Sequence, residues 1–274
     1  MHNAPEGTLG DGRALTAPEI DESLTIVQQV FQDFRTRVLA RAGHSAHTDK
    51  HDGSPVTDTD VEIETELQAA LARRFPGMVV LGEETGYDDA NLPDVCWLID
   101  PIDGTQSFIA NLPFFTCMAV LIQDNEAVAS IIYNPSTDTT HTARKNGGAY
   151  RDGTRLALGQ LPMADIALCK LELIDPLTAL LRSSGVVCEA APTGSGHGLT
   201  RVADGLAAAR FQLRGRGSIH DYAPGALLIR EAGGVIIPVK DEEYTYQTRS
   251  FVACHPALET VIREHLPAIR ALEW

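Results

Sequence analysis

The chain has 274 residues, 44% of them hydrophobic and 22% charged, an ordinary composition for a globular protein with one large domain or two smaller lobes. Its formal net charge of −15 argues against a general nucleic-acid binder, because an acidic surface repels phosphate backbones. The same charge repels an anionic small molecule, so a phosphorylated substrate would need cations held locally by clustered carboxylates.

The cysteines and the first residues bear on the cellular compartment. The five cysteines are scattered and form no C-x-x-C pair, which disfavours a disulfide framework or a zinc site and favours a reducing cytoplasm. Residues 1–12 are polar and glycine-rich, unlike a signal peptide, and no apolar run is long enough for a transmembrane helix. We therefore expect a cytoplasmic protein without a membrane partner, and a flexible N-terminal arm at residues 1–15.

Two helices are predicted in the first third of the chain. Thr16, Pro18 and Glu19 form a typical helix start, and apolar residues then recur at helical spacing up to Gly43. The same spacing predicts a second helix at residues 59–75, ended by a Pro-Gly pair.

The polar segment between these helices, residues 43–55, contains His44, His47 and His51. A transition-metal site is one alternative, but the histidine spacing fits no regular ligand geometry. We favour a mobile flap close to a functional site.

Short apolar runs predict a series of strands in the middle of the chain. These strands lie at residues 78–81, 95–99, 117–123, 127–133, 147–150 and 155–157. Beyond residue 159 strands alternate with helices, which is typical of an α/β lobe. The strands there are predicted at residues 166–171, 186–190, 209–213, 234–238 and 250–254, and the helices at residues 176–183, 199–208, 222–233 and 255–272. We expect an N-terminal α+β lobe at residues 16–158, packed tightly against a C-terminal α/β lobe at residues 159–274.

Three acidic clusters follow predicted strands or begin predicted helices. They are Glu83 with Glu84, the segment DPIDGT at residues 100–105, and Asp221. In the second cluster, Asp100 ends a buried strand, Pro101 forces a turn that brings the next aspartate near, and a glycine allows close approach of a ligand. Two such carboxylates suit Mg²⁺, which shares oxygen ligands with its substrate. Taken alone, such a segment would usually be a capped turn, and its place after a strand and the other two acidic clusters favour a metal site.

Together the three clusters resemble the signature motifs of the inositol monophosphatase family. The matching motifs are LGEE at residues 81–84, WLIDPIDGT with Phe108 at residues 97–108, and Asp221, Ala223 and Gly225 followed by EAGG at residues 231–234. They occur in the family's order and spacing, and the resemblance covers nearly the whole chain, from about the first helix to the end. The resemblance implies a mixed α/β fold, a layered α-β-α-β-α sandwich of the inositol monophosphatase and fructose-1,6-bisphosphatase type. It also implies a homodimeric, lithium-sensitive phosphatase.

The resemblance assigns metal ligands position by position. Glu83, Asp100 and the carbonyl of Ile102 would bind one Mg²⁺, and Asp100, Asp103 and Asp221 would bind a second. Glu83 would also reach a weaker third ion. Two or three cations of this kind activate water for attack on a phosphate ester, so no protein nucleophile is required.

The resemblance also assigns the remaining roles. Glu83 and Thr105, with Asp100, would be the catalytic residues that act on the attacking water. The expected substrate contacts are Gly104, Thr105, Gly194, Ser195 and Asp221. Arg210, Arg214 and Arg216 fall in the segment that often shapes substrate choice in the family. These arginines would bind a second phosphate or a carboxylate, or would simply be solvated.

Two positions depart from the usual family pattern. Residues 50–60 are similar to the branch with 3′-phosphoadenosine 5′-phosphate phosphatases and some histidinol phosphatases. Many inositol-specific members have an aspartate in place of Ser54 that partners the active-site threonine, so here Ser54 or Asp52 would take that part. His220 replaces a tryptophan and is either a pH-sensitive group near the metals or, as we favour, a packing residue.

The expected substrate is a small phosphorylated metabolite. A polyol or sugar phosphate such as inositol monophosphate is the first hypothesis. Histidinol phosphate, 3′-phosphoadenosine 5′-phosphate and fructose 1,6-bisphosphate are alternatives within the same chemistry. A non-catalytic regulatory member is a third hypothesis, and it would predict broken metal ligands, whereas all four ligand side chains are present.

Overall fold

The computed structural model describes residues 13–44, 47–49, 55–191, 194–215 and 217–272, with the backbone alone for residues 47–49 and 55–57. The helices are α1 (Ala17–Arg41), α2 (Asp58–Arg74), α3 (Thr105–Ile109), α4 (Ile174–Leu181), α5 (Gly196–Ala203), α6 (Ile219–Glu231) and α7 (Glu259–Ala271). The strands are β1 (His47–Asp49), β2 (Pro55–Thr57), β3 (Val79–Gly82), β4 (Val95–Asp103), β5 (Thr116–Gln123), β6 (Glu126–Asn134), β7 (Thr139–Arg144), β8 (Gly148–Arg151), β9 (Thr154–Arg155), β10 (Ile166–Cys169), β11 (Val187–Ala190), β12 (Ala209–Gln212), β13 (Val235–Pro238) and β14 (Phe251–Cys254).

Most strands belong to two large sheets. The first has seven strands in the order β3-β4-β5-β6-β7-β8-β9, antiparallel except for the parallel pair β3 and β4. The second has five strands in the order β11-β10-β12-β14-β13, in which β10 runs parallel to both of its neighbours. β1 and β2 pair with each other, so the segment predicted as a loop at residues 43–55 contains a small hairpin.

The helices and sheets form five layers. One face of β4, including Trp97 and Ile99, packs in a core shared with α1 and α2. The opposite face of the first sheet, including Met118 and Ile132, packs on α5 and α6, which in turn contact the second sheet. α4 and α7 cover the outer face of the second sheet. The predicted mixed α/β fold with α-β-α-β-α layers is therefore confirmed. No helix in the described part of the chain is both long and apolar enough to cross a membrane.

The start of α1 follows from its sequence. The backbone N–H and hydroxyl of Thr16 donate to the Glu19 carboxylate, completing the predicted capping box. Arg13 binds the same carboxylate at 2.7 Å and, with Thr16, lowers the pKa of Glu19 to about 2. The apolar stripe of this helix, from Ile20 to Val38, is buried as the helical spacing predicts.

Some element boundaries differ from the prediction. β4 does not end at residue 99 but continues through Pro101 to Asp103, with an irregular register against β5 after Asp100. β7 was not predicted, because its sequence TTHTAR carries almost no apolar residues. His141 from this strand is nevertheless buried. Its Nε2 lies 2.9 Å from a carboxylate oxygen of Asp204, and this contact compensates for the burial of a polar side chain. When polar residues are buried by pairing with distant residues, the sequence shows no alternation of apolar and polar residues from which the strand could be predicted.

Both helices of the central layer begin earlier than predicted. α5 begins at Gly196 rather than residue 199, and α6 begins at Ile219 rather than residue 222. A capping box between Ser218 and Asp221 sets the start of α6. α5 and α6 approach closely at Gly225, where an added Cβ would lie 2.4 Å from Leu199 Cδ1.

This contact yields a prediction for stability. Gly225→Ala should lower the free energy of unfolding by about 1–2 kcal/mol in denaturant titrations, because the methyl group overpacks the contact with Leu199. In a Leu199→Ala background the loss should be smaller but not abolished, because the contacts with Cδ1 and Cγ are removed while the retained Cβ of residue 199 would still stand 2.6 Å from the added methyl group. A stabilising effect of Gly225→Ala in the wild-type background would contradict the close contact.

Candidate active site

The site lies where the ends of β3 and β4 meet the N-termini of α5 and α6. β3 and β4 are parallel neighbours, with Gly82 opposite Ile99 in their register. The residues that follow, Glu83 and Asp100, therefore emerge side by side, and the Glu83 N–H donates to the Ile99 carbonyl at 3.1 Å. Sheet register thus pairs two carboxylates that are 17 positions apart in the sequence.

Asp100 is the most deeply buried carboxylate of this group. Only 2% of its surface is exposed, and its Oδ1 has no hydrogen-bond partner among the described residues. Burial raises the pKa of Asp100 well above its usual range, and repulsion from Glu83, Asp103 and Asp221 raises it further. A weaker repulsion comes from Asp60. An ionised Asp100 therefore needs a cation close by.

Asp103 is held in place by the start of α5. The backbone N–H groups of Ser195 and Gly196 each donate to its carboxylate at 2.8 Å, and the Thr116 hydroxyl donates at 3.0 Å. Burial and the nearby Asp221 nevertheless raise the pKa of Asp103 to about 6, against the opposing effect of these hydrogen bonds. The hydrogen bonds fix the orientation of the carboxylate without neutralising it.

The first turn of α6 carries the remaining acid. Asp221 completes the capping box with Ser218, and its backbone carbonyl accepts a hydrogen bond from the Ser195 hydroxyl. The neighbouring His220 is buried, with Nδ1 2.8 Å from the Tyr87 hydroxyl and Nε2 3.7 Å from an Asp221 oxygen. His220 therefore both packs in the interior, against Tyr87, and faces the acidic cluster.

These side chains form two groups with the spacing of metal ligands. In one group ligand atoms of Glu83, Asp100 and His220 lie within 4.8 Å of one another, and in the other those of Asp100, Asp103 and Asp221 do. Asp100, with its unpartnered oxygen, belongs to both. A set rich in carboxylate oxygens fits a hard divalent cation such as Mg²⁺. The residues present therefore fit the metal centre that the sequence predicts.

A cavity of about 320 Å³ opens beside the cluster. All of the predicted site residues line it, namely Glu83, Asp100, Ile102, Asp103, Gly104, Thr105, Gly194, Ser195 and Asp221. Gly104 adopts a left-handed conformation with φ of 86°, which turns the chain from β4 into α3. The Thr105 hydroxyl donates to the Ile102 carbonyl at 3.1 Å. The structure thus brings together residues from four separate stretches of the chain.

Other residues near the site were not predicted from the sequence, apart from Arg210, one of three arginines expected to bind a second phosphate or a carboxylate or to be solvated. Asp60, at the start of α2, is buried and close enough to Asp100 to raise its pKa. Arg210 and Gln212 of β12 line the cavity, as does Tyr222 of α6. For Asp60 the available signal was its place as the last aspartate of the motif at residues 50–60.

Several earlier predictions receive a different answer or none. Arg214 donates to the Leu272 carbonyl and pairs with Glu172, and it does not line the cavity. Ser54, Asp52, Lys50, His51 and Arg216 lie outside the described residues. The five cysteines are buried free thiols, as expected of small core residues.

Comparisons with known proteins agree with this geometry. A model of the inositol monophosphatase family matches residues 15–271, and the chain belongs to this family. It is 28% identical to the probable inositol 1-monophosphatase ImpA of Mycobacterium tuberculosis, over 93% of this chain and 96% of the relative. It is 30% identical to the 3′(2′),5′-bisphosphate nucleotidase CysQ of Aggregatibacter actinomycetemcomitans, over 74% and 79% of the two chains.

A solved structure shows the same fold. It is an IMPase/NADP phosphatase in complex with Mg²⁺ and phosphate, with a TM-score of 0.76 and 18% identity over 89% of this chain and 95% of that one. Together with the family match, the comparisons establish a phosphatase, that is, a phosphoric monoester hydrolase.

The buried charge of Asp100 yields a pH prediction for the metal-free protein. Because the folded state raises the pKa of Asp100, the folded chain holds a proton more readily than the unfolded chain, and stability falls as pH rises through the folded pKa. In EDTA, Asp100→Asn should therefore raise the Tm by several degrees at about pH 8, with a smaller gain at about pH 5. Asp241→Asn, on an exposed loop, is the matched control. Equal Tm values for Asp100→Asn and wild type at both pH values would contradict the prediction.

Proposed function

We propose that this phosphatase hydrolyses a small phosphate monoester with the help of Mg²⁺ held by the acidic cluster. The observation that carries the proposal is Asp100, a buried carboxylate with an unpartnered oxygen that belongs to both groups of ligand-spaced side chains. Leaving that charge uncompensated is costly, and a divalent cation shared between the two groups compensates it. The Mg²⁺ and phosphate in the solved relative support this assignment.

The proposed ligands are those that the sequence motifs indicate. Glu83, Asp100 and the Ile102 carbonyl would hold one Mg²⁺, and Asp100, Asp103 and Asp221 would hold a second, with a third ion near Glu83. When bound, Mg²⁺ supplies an activated water and neutralises the charge that develops on the phosphoryl oxygens. His220 has the spacing of a further ligand, but its Nδ1 contact with Tyr87 and its burial also suit a packing role.

The protein itself would position the water and the phosphate. Glu83 and Thr105 line the cavity beside Asp100, where they can accept hydrogen bonds from the attacking water. We add Asp60 to this group, because its buried carboxylate lies near Asp100 without belonging to either ligand-spaced group. It would take the part that the sequence assigned to Ser54 or Asp52. The backbone of Gly104 and Thr105 would hold the phosphate, with Gly194, Ser195 and Asp221 on the leaving-group side.

The substrate class follows from the size and chemistry of the cavity. A cavity of about 320 Å³ lined largely by polar residues suits a small hydroxylated metabolite such as a polyol or sugar phosphate. Inositol monophosphate and 3′-phosphoadenosine 5′-phosphate both remain candidates, in keeping with the names of the relatives. The homodimer, the cytoplasmic location and the lithium sensitivity stay predictions.

The metal assignment is tested by Asp100→Asn, which preserves shape and removes the shared charge. Loss of a residue that only hydrogen-bonds to a metal ligand lowers activity by up to roughly 100-fold. Because Asp100 would be a ligand itself, we expect kcat/KM for phosphate release to fall by more than this. Mg²⁺ should raise the Tm of the wild type but not that of the variant, because binding to the folded state alone stabilises it. Asp241→Asn again serves as the control. Phosphate release that persists in EDTA, or full activity in Asp100→Asn, would overturn the proposal.

The role of Asp60 is tested separately from metal binding. Asp60→Asn should lower kcat by about 100-fold or more, the usual range for loss of a general base. KM and the Mg²⁺-induced rise in Tm should change little, because Asp60 lies outside both ligand-spaced groups. Ser54→Ala tests the competing hypothesis from the sequence, in which Ser54 partners Thr105. A large loss of kcat in Ser54→Ala, with Asp60→Asn near wild type, would favour the sequence-based hypothesis over ours.

A further inference from the structure

Arg210 lies on a central strand of the second sheet, between two layers of the fold. β12 pairs with β10 on one side and β14 on the other. Ala209 and Phe211 face the outer layer and belong to its apolar core. Because side chains alternate along a strand, Arg210 and Gln212 face the inner layer, where both line the candidate active-site cavity.

The guanidinium of Arg210 is buried and poorly paired. Only 7% of the residue is exposed, and burial lowers its pKa. Its Nε and Nη1 have no hydrogen-bond partner among the described residues, and its Nη2 makes only a long contact of 3.5 Å with Gln212 Oε1. A buried cation with two unpaired donors is unfavourable unless a further group binds to it.

A structural role as counter-ion to the acidic cluster does not account for this arrangement. Among the acids, Asp103 has the largest electrostatic effect on the pKa of Arg210. No carboxylate in the described part of the chain, however, comes within ion-pair distance of Arg210. Asp103 already accepts hydrogen bonds from α5 and Thr116. Nη1 instead lies against Gly198 of α5, where an added Cβ would stand 3.3 Å away. Arg210 therefore lines the β12 side of the cavity without a carboxylate partner among the described residues.

We propose that Arg210, assisted by Gln212, binds a second anionic group on the substrate, a carboxylate or a phosphate carried by the leaving group. The planar guanidinium offers a fork of N–H donors that matches either oxyanion, and burial strengthens the interaction by excluding water. The inference rests on the proposed function, since it assumes that the esterified phosphate binds at the acidic cluster. It makes a substrate with a cationic leaving group, such as histidinol phosphate, a poor fit.

The position of Arg210 also addresses the charge of the protein. The formal net charge of −15 repels an anionic substrate at long range. A substrate with two anionic groups then needs two local sources of positive charge. Cations at the acidic cluster would bind the reacting phosphate, and Arg210 would bind the second anionic group. Arg214, by contrast, is engaged with Glu172 and the Leu272 carbonyl outside the cavity.

The test uses two matched pairs of phosphate esters that differ in one anionic group. Glycerol 2-phosphate is compared with 2-phosphoglycerate, which adds a carboxylate, and adenosine 3′-phosphate with 3′-phosphoadenosine 5′-phosphate, which adds a phosphate. The kcat/KM of each is measured with Mg²⁺ for wild type, Arg210→Gln, Arg210→Lys and the control Arg214→Gln. Calorimetric titration with the same compounds measures binding independently of turnover.

We expect wild type and Arg214→Gln to favour the anionic member of at least one pair by about 10- to 100-fold. The preference should collapse in Arg210→Gln and survive in part in Arg210→Lys, which keeps the charge but loses the fork. The pair that shows the preference identifies the group as carboxylate or phosphate. Equal kcat/KM within both pairs for wild type, or a preference unchanged in Arg210→Gln, would overturn the inference.

The same experiment separates this inference from the proposed function. Absence of Mg²⁺-dependent release from all four compounds would count against the proposed function. Calorimetry would still decide the role of Arg210. Tighter binding of an anionic member that is lost in Arg210→Gln would support it, and equal Kd values within both pairs would refute it. A circular dichroism spectrum and Tm like those of wild type would show that each variant is folded.

Discussion

Buried negative charge is the constraint around which this structure is organised. Asp100 and Asp103 lie in the interior beside Glu83 and Asp221, and every ionised pair among them opposes folding. The fold holds them together from several directions. Parallel strands bring Glu83 to Asp100, N–H groups of α5 orient Asp103, and a capping box fixes Asp221. In the proposed function this repulsion is relieved by a divalent cation, which would link metal binding to stability.

The same cluster ties the two halves of the chain together. Asp103 belongs to the first sheet, whereas Ser195 and Asp221 belong to the helices packed between the sheets. Ser195 donates its backbone N–H to Asp103 and its hydroxyl to the Asp221 carbonyl, so one residue connects both acids. Close packing of Gly225 against Leu199 sets the distance between α5 and α6. A change in that contact would therefore disturb the site as well as the core.

The cavity beside the cluster has negatively charged side chains on one side and a positively charged side chain on the other. Its acidic side is suited to cations and, through them, to the phosphate that reacts. Its β12 side presents the buried guanidinium of Arg210, a positive charge that no described carboxylate pairs. In a protein with a formal charge of −15, selective attraction of an anionic substrate has to come from such local groups. The acidic cluster and the guanidinium are thus supplied by different layers of the fold.

The sequence by itself determined the family, through motifs that resemble those of its members, and with the family the layered fold. Local patterns pointed to the acids of the cluster. A capping box starts α1, and apolar strands precede Glu83 and Asp100. Tertiary structure decided the rest. Asp60 joins the site only through packing of α2 on the first sheet. Strand alternation turns Arg210 into the cavity, whereas Arg214 lies beyond the end of β12 and donates to the Leu272 carbonyl. β4 continues past Pro101 because its neighbour β5 pairs with it. Such outcomes depend on contacts between distant segments, and a local pattern, such as the motif at residues 50–60 that contains Asp60, does not by itself fix them.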